Sequence, residues 1–301
     1  MTETKDILIA GRPCSNTSII ELAQEEGSDR PVEEVVRDIA RSKLQEADDL
    51  LGAIDESWSP PPFRSHLIAH ALNIQIENVD DPSVDDAMIY LKDGAPTIKV
   101  RNGRPPTRSN FSIAHEISHT FFPGYHNTIQ HRKPRKRNLL NANDQLEYLC
   151  DIGAAELLMP VDYFMKDVNQ RRFGYHLVED LGKQYDVSPE AVCIRMVQSD
   201  VRECAGGLFM PMVPSSERRS CMRSTYLVRS SSFLKNWGQG MISPISRKSC
   251  IDRTARCGYS IKAVEDIFTL TGTHKFTVET VSLPTRKSVD PPRVFAFFYP
   301  K

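Results

Sequence analysis

The chain has 301 residues, which is enough for one sizeable core or for two or three smaller domains. Its 38 Lys and Arg residues nearly balance its 39 Asp and Glu residues, giving a formal net charge of -1. This balance excludes a global electrostatic field that would favour nucleic acid, a membrane surface or a highly charged substrate. Any such preference must come from local patches.

The sequence contains no run of about 18 uncharged apolar residues, and its N-terminus lacks a basic stretch followed by a long apolar one. Its seven cysteines are an odd number scattered without CxxC pairs, which favours reduced thiols over a disulfide framework. We therefore expect a cytoplasmic protein that does not associate with a membrane.

The first elements follow from local periodicity. Residues 1–30 lack a sustained period, which predicts a flexible N-terminal segment. Apolar residues at helical spacing then predict an amphipathic helix over residues 31–52, with Ser28 or Asp29 as its N-cap. Three prolines interrupt the chain, and RSHLIAHALN predicts a second, short helix. Three segments rich in β-forming residues predict a small sheet: IQIENV, DAMIYL and PTIKVR.

The second half of the chain contains two further patterns. Residues 175–199 show two helical patterns separated at YDVSPE, with Ser188 as a cap, which is the spacing of a helix-turn-helix. Beyond residue 204 the composition shifts to Ser, Arg, Gly and Pro with short β runs, which predicts a separate small β-rich or mixed unit.

The segment RSNFSIAHEISHTFF carries the chemistry. His115 and His119 are four residues apart, so both imidazoles lie on one face of a helix and can chelate one ion. Glu116 projects from the next position, where it can act as the general base on a metal-activated water. Apolar neighbours predict that this helix is buried, and two buried histidines with a buried glutamate would be costly without a metal.

A catalytic zinc usually has three protein ligands and leaves the fourth position to water, so a third donor is expected downstream. Glu147 is our choice, because it lies on the predicted helix NDQLEYLCDIGAAELLMP; Asp144 and Glu156 are the alternatives. Asp151 is four residues after Glu147 and therefore on the same face. Its carboxylate is suited to accept the free ring N–H of a ligating histidine and so to orient that ring.

Residues 60–160 resemble the ImmA/IrrE metallopeptidase family, whose R-x-R-F-T-x-A-H-E-x-x-H and E-x-E-A-N-x-F-A-A-x-L-L-M-P helices read here as RSNFSIAHEISH and EYLCDIGAAELLMP. The resemblance implies zinc ligands His115, His119 and Glu147, catalytic Glu116, and Asp151 at the family's Asn or Asp. The sequence departs from the family pattern at four positions, none of them a metal donor: Asn110, Ser118, Leu149 and Gly153.

The expected fold class is α+β: a mainly helical, zincin-like metallopeptidase domain with a small sheet, then a helix-turn-helix-like segment and a small C-terminal domain. The expected domains are a flexible segment (1–30), the metallopeptidase domain (31–172), the helix-turn-helix-like segment (173–203) and a C-terminal domain of unknown role (204–301).

The hypothesis that follows is a zinc-dependent endopeptidase that cleaves a protein partner, which the resemblance implies is often a helix-turn-helix repressor. The strand at Ile98 to Arg101 is expected to pair with the substrate backbone. The alternative is a DNA-binding regulator or sensor with a structural zinc, which would need a fourth protein donor such as Cys150. We do not expect sequence-specific DNA binding, because the second helix, PEAVCIRMVQ, carries a single arginine.

Further polar residues carry weaker signals. Tyr125, His126 and His131 follow the motif helix closely enough to contribute oxyanion or substrate contacts, although loop residues of these types are usually solvated. His66 and His70 are also four residues apart but have no acidic residue between them, which favours an ordinary helix. The basic stretch HRKPRKR, residues 131–137, favours a solvated loop over a phosphate-binding site.

Overall fold

The computed structural model describes the following ranges of the chain: residues 7–27, 30–125, 140–171, 175–200, 202–211, 222–238, 248–269, 272–285 and 290–301. The chain forms two compact units. Unit 1 comprises Met1–Pro160 and Gln184–Val187, and unit 2 comprises Val161–Lys183 and Ser188–Lys301. Helices and sheets are both present, so the α+β class predicted from the sequence holds.

In the part of the chain that the structure describes, unit 1 combines five helices with two small sheets. Its elements are β1 Leu8–Ile9, β2 Arg12–Pro13, α1 Thr17–Glu25, α2 Val32–Ile54, α3 Ser65–Ala71, β3 Gln75–Val79, β4 Ala87–Lys92, β5 Ala95–Arg101, α4 Pro106–His119 and α5 Ala142–Leu158. The long helix and the three strands predicted from the sequence are thereby confirmed, with shifts of at most two residues at their ends.

Helix α2 packs against α5 through one apolar stripe. Its buried residues recur at helical spacing, as an amphipathic helix on a core requires: Val32, Val35, Val36, Ala40, Leu44, Ala47 and Leu51. Pro31 occupies the N-cap position without a side-chain cap. The predicted caps Ser28 and Asp29 lie outside the described residues.

The N-terminal segment is anchored to the rest of unit 1. Ile9 and Ile19 are fully buried, and the Asn16 side chain caps α1 by accepting from the Ile19 N–H. The Gln145 side chain accepts from the Ser15 N–H at 2.9 Å, which ties this segment to α5. The prediction of a flexible segment is therefore wrong for residues 7–27.

The three-stranded sheet has the order β3-β5-β4, with β3 parallel and β4 antiparallel to β5. Strand β5 is thus the central strand, and its backbone is paired on both sides. The prediction that residues 98–101 pair with an extended substrate is wrong for this reason, because a central strand has no free edge. The free edges of this sheet belong to β3 and β4.

Helices α4 and α5 pack closely where small residues meet. A Cβ atom added at Gly153 would lie 2.6 Å from the Ser118 Oγ and 2.9 Å from its Cβ. The two departures from the family pattern, Ser118 and Gly153, therefore face one another. The glycine supplies the space that the serine occupies, and this close approach sets the distance between the two helices.

Unit 2 contains helices α6 Val161–Asn169, α7 Tyr175–Gln184, α8 Pro189–Gln198, α9 Ser231–Trp237 and α10 Cys250–Cys257, and strands β6 Ala205–Pro211, β7 Met222–Arg229, β8 Lys262–Thr269, β9 Gly272–Leu283 and β10 Arg293–Pro300. The two helices predicted over residues 175–199 are confirmed, and Ser188 caps α8 by accepting from the Ala191 N–H. In the described parts of the chain, no helix has the length and apolar character needed to cross a membrane.

The sheet of unit 2 is antiparallel with the order β7-β6-β10-β9-β8. One face is covered by α9 and α10, with Phe233 and Ile251 packed over Phe276 and Phe298. On the other face, α8 lies so close that a Cβ added at Gly206 would meet the Val197 side chain at 2.6 Å. This sheet fits the β-rich or mixed C-terminal unit expected from the composition.

Candidate metal centre

Helix α4 places His115, Glu116 and His119 in the interior of unit 1. All three side chains are buried, and the two imidazole rings lie with centroids 5.1 Å apart. The four-residue spacing produces this arrangement, because one helical turn separates the two rings on the same face. The apolar residues of the motif bury the rest of the helix, as the sequence predicted.

Helix α5 brings two carboxylates to these histidines. One Glu147 oxygen lies 3.1 Å from the His115 Nε2, and the other lies 3.5 Å from the His119 Nε2. On the opposite edge of the first ring, the Asp151 Oδ1 lies 2.8 Å from the His115 Nδ1. The structure therefore brings together the four residues that the sequence singled out on two separate helices.

Two separations, each between a histidine Nε2 atom and a Glu147 oxygen, are close to those expected between two ligands of one zinc ion. Two donors that each bind zinc at about 2.1 Å in tetrahedral coordination lie roughly 3.4 Å apart. The Nε2 atoms of His115 and His119 lie at comparable distances from the two Glu147 oxygens. Imidazole nitrogens and a carboxylate are also a donor set that zinc accepts.

The pKa values of His115 and Glu147 are shifted by their contacts with each other and with neighbouring residues. Burial lowers the pKa of His115, but its hydrogen bonds with Asp151 and Glu147 outweigh burial and raise that pKa to about 9. Burial raises the pKa of Glu147, yet the hydrogen bonds with the two histidines leave it well below its ordinary value. The pocket between the helices thus favours positive charge next to Glu147.

Glu116 points to a different neighbour. Its Oε2 accepts a hydrogen bond from the backbone N–H of Ile89 on β4, at 3.0 Å. The backbone oxygen of Asp86, just before this strand, accepts a hydrogen bond from the Arg101 N–H of β5. Backbone hydrogen bonds to a neighbouring strand alternate along an antiparallel pair, so residues 88, 90 and 92 bond to β5 and the Ile89 N–H projects from the free edge of β4. Sequence reasoning missed this contact, because a backbone donor leaves no residue-type signal.

Cys150 lies behind the second histidine. Its Sγ is 3.4 Å from the His119 Nδ1, while the Nε2 of the same ring faces Glu147. His115, His119 and Cys150 do form a cluster that could hold a metal. Nevertheless the thiol lies on the opposite edge of the His119 ring from Glu147, where it can orient the ring, as Asp151 does for His115.

Two polar contacts support the motif helix. Arg108 at its start pairs with the buried Asp86 at 2.6 Å, which fixes α4 to the beginning of β4. Asn110, where the family has arginine, accepts from the Ser65 N–H and Oγ and donates to the Asp186 backbone oxygen. Neither contact is predictable from local patterns, because the partners of Arg108 and Asn110 are distant in the chain.

The alternative ligands occupy other places. Glu156 is buried and pairs with the Arg41 guanidinium of α2, 3.3 Å away. Asp144 lies in the first turn of α5. His66 and His70 are both exposed on α3, in keeping with an ordinary surface helix.

The loop residues named as substrate contacts are only partly described. Tyr125 is half-buried in the turn after α4, and its contact with substrate stays a prediction. His126, His131 and the basic stretch 131–137 lie outside the described residues.

Comparisons with known proteins bear on the family and the fold of the chain. Residues 69–197 match the family model of Peptidase_M78, described as an IrrE N-terminal-like domain. No curated protein matches the chain. Among solved structures, a Mycobacterium tuberculosis transcriptional regulator is similar with a TM-score of 0.53 and 13% identity, over 89% of this chain and 80% of that one. At this identity the likeness concerns the fold alone. The matched range contains every residue of the two-helix cluster.

Proposed function

Since residues 69–197 carry the IrrE N-terminal-like domain of the ImmA/IrrE family, we propose that this chain is a zinc-dependent endopeptidase that cleaves a protein partner. The observation that carries the proposal is the convergence of His115, His119 and Glu147 with donor separations of 3.1 and 3.5 Å. Glu116 stands apart from this cluster, bound to a backbone N–H. A three-donor set with a separate base is the arrangement of a catalytic zinc site.

His115, His119 and Glu147 would hold the zinc through the two Nε2 atoms and the carboxylate. When bound, zinc supplies a Lewis acid that acidifies water and polarises a carbonyl group. Asp151 accepts the Nδ1–H of His115, which leaves Nε2 as the metal-binding nitrogen and holds the ring in place. These four residues form the binding part of the site.

Glu116 would act as the proton carrier. Its carboxylate is buried and held by the Ile89 N–H, so it enters the reaction oriented rather than free to rotate. It would take the proton of the attacking water and deliver that proton to the leaving amine. A carboxylate that ligated the metal could not perform this step.

The free edge of β4 is the place for an extended substrate. The Ile89 N–H already points away from β5 toward Glu116, and the alternation of strand backbones directs Ala87 and Leu91 the same way. A peptide paired along this edge would lie beside the catalytic carboxylate. Leu91 is 40% exposed and offers the peptide an apolar contact.

The alternative function, DNA binding with a structural zinc, has less support. All ten positions of α8 are described and none is exposed, whereas a recognition helix must present side chains to the major groove. Its single arginine, Arg195, is 1% exposed. Cys150, the candidate for the fourth donor of a structural site, contacts the Nδ1 edge of the His119 ring, on the side away from Glu147.

The family resemblance suggests a helix-turn-helix repressor as the partner, and this substrate gives a direct test. The purified full chain is incubated with the repressor-like product of an adjacent gene, and products are identified by mass spectrometry of the new termini. We expect cleavage that a chelator abolishes and added zinc restores. The same cleavage by E116Q protein, prepared in parallel, would overturn the proposal.

A further inference from the structure

A cavity of about 130 Å³ lies within unit 2, where α6, α7 and α8 meet the ends of β6 and β10. Its apolar wall consists of Met165, Val168, Leu177 and Met196. An engineered apolar cavity of roughly 150 Å³ holds a benzene molecule. This cavity therefore has room for a compact apolar body of similar size.

The cavity is separate from the main core of unit 2. Side chains alternate along β10, so Ala296 and Phe298 face the core under α9 and α10, whereas Phe297 and Tyr299 face the other way. The rings of Phe297 and Tyr299 stack with centroids 6.3 Å apart. The cavity, which Tyr299 lines, therefore lies on the face of the sheet opposite α9 and α10.

Two polar residues line the cavity beside the apolar wall. They are Arg202, which is exposed just before β6, and Tyr299, which is half-buried near the end of β10. Burial, chiefly, raises the pKa of the Tyr299 phenol far above its ordinary value, so its hydroxyl is available as a hydrogen-bond donor. The two residues thus give the cavity a hydroxyl donor and one positive charge.

We propose that this cavity binds a small monocarboxylate with a compact apolar body. The carboxylate would pair with the planar guanidinium of Arg202 and accept a hydrogen bond from the Tyr299 hydroxyl. Arg171, which is also exposed, lines the same cavity and adds positive potential. The apolar body would lie against the methionine, valine and leucine side chains, which is the usual division of a small-molecule site.

This inference does not rest on the proposed peptidase. Every residue that lines the cavity belongs to unit 2, and the histidines and carboxylates of the candidate metal centre belong to unit 1. If the protein neither binds zinc nor cleaves a substrate, the proposal for the cavity is therefore unaffected. If the cavity binds no carboxylate, the proposal for the metal centre is likewise unaffected.

Benzoate is the probe for the test, with benzyl alcohol as its neutral counterpart. Binding of each to the full chain is titrated by saturation-transfer NMR. We expect benzoate to bind at least tenfold more tightly than benzyl alcohol, and R202Q to remove that difference while leaving benzyl alcohol unchanged. The matched control is R253Q, which removes an exposed arginine of α10 and should bind benzoate as the wild type does.

A second variant guards against indirect effects of charge. M196F fills the cavity and should abolish binding of both probes, with circular dichroism confirming that the fold is retained. The proposal is overturned if benzoate binds no more tightly than benzyl alcohol, if R202Q and R253Q behave alike, or if folded M196F protein binds benzoate normally.

Discussion

Removal of the Asp151 carboxylate should weaken zinc binding by a calculable amount. Its Oδ1 lies 2.8 Å from the Nδ1 of the fully buried His115, so D151A leaves a buried donor without its partner. Leaving a buried donor unpaired costs about 1–3 kcal/mol of free energy. Loss of the residue that hydrogen-bonds a metal-binding histidine lowers the affinity for the metal by about 10- to 100-fold. The two figures agree, because tenfold corresponds to about 1.4 kcal/mol.

The exposure of Asp151 places the expected effect at the lower end of this range. Its side chain is 31% exposed, so water can reach the vacated position and satisfy part of the donor's demand. We therefore expect D151A to weaken zinc binding by about 10- to 30-fold. D151N keeps an oxygen acceptor but loses the charge, so its loss should be about threefold.

The assay is competition for zinc against a fluorescent chelator, with the full chain at a fixed pH. D162A, which removes an exposed acidic residue in the first turn of α6, is the matched control and should bind zinc as the wild type does. If D151A protein binds zinc within twofold of wild type, the assignment of Asp151 behind His115 is refuted.

The remaining predictions concern the packing and the thiol near the site. G153A should lower the free energy of unfolding in urea by about 1–3 kcal/mol, because its Cβ would lie 2.6 Å from the Ser118 Oγ. In the S118G background, the same substitution should cost much less. Equal losses in both backgrounds would contradict the close packing of the two residues. Cobalt-substituted wild-type protein should lack a thiolate charge-transfer band, and C150A should keep the same visible spectrum, because the thiol faces the Nδ1 edge of His119. A thiolate band that disappears in C150A would identify Cys150 as a metal ligand and revive the structural-zinc alternative.

Local patterns predicted the two helices of the site well. The spacing of His115 and His119 fixes their common face within one turn, and the same rule relates Glu147 to Asp151. Neither inference requires knowledge of the rest of the chain. The close approach of the two helices depends on Gly153, and the sequence alone could not show that this glycine meets Ser118.

Strand order could not be predicted from the strands alone, because all three have similar composition. The dipeptide Asp93-Gly94, with both residues at positive φ, joins β4 to β5 as a tight hairpin, and this signal was present in the sequence. With β4 and β5 paired through the hairpin, a parallel β3 on the remaining side of β5 makes β5 central. Recognising the hairpin would have directed attention to β4, whose edge contacts Glu116.

The N-terminal segment was misjudged because its order comes from distant partners. Helix α1 has nine residues, too few for a sustained period, and its neighbours β1 and β2 have two residues each. The bond from the Ser15 N–H to Gln145 spans 130 residues of sequence. Such contacts become visible only once the helices of unit 1 are in place.

We propose that His115, His119 and Glu147 bind the metal while Glu116 performs the chemistry. Zinc content per chain, measured on purified wild-type, E116Q and E147A proteins, separates these two roles. We expect one zinc per chain in wild-type and E116Q protein and a strong loss in E147A. Full occupancy in E147A, or loss of zinc in folded E116Q protein, would overturn the assignment.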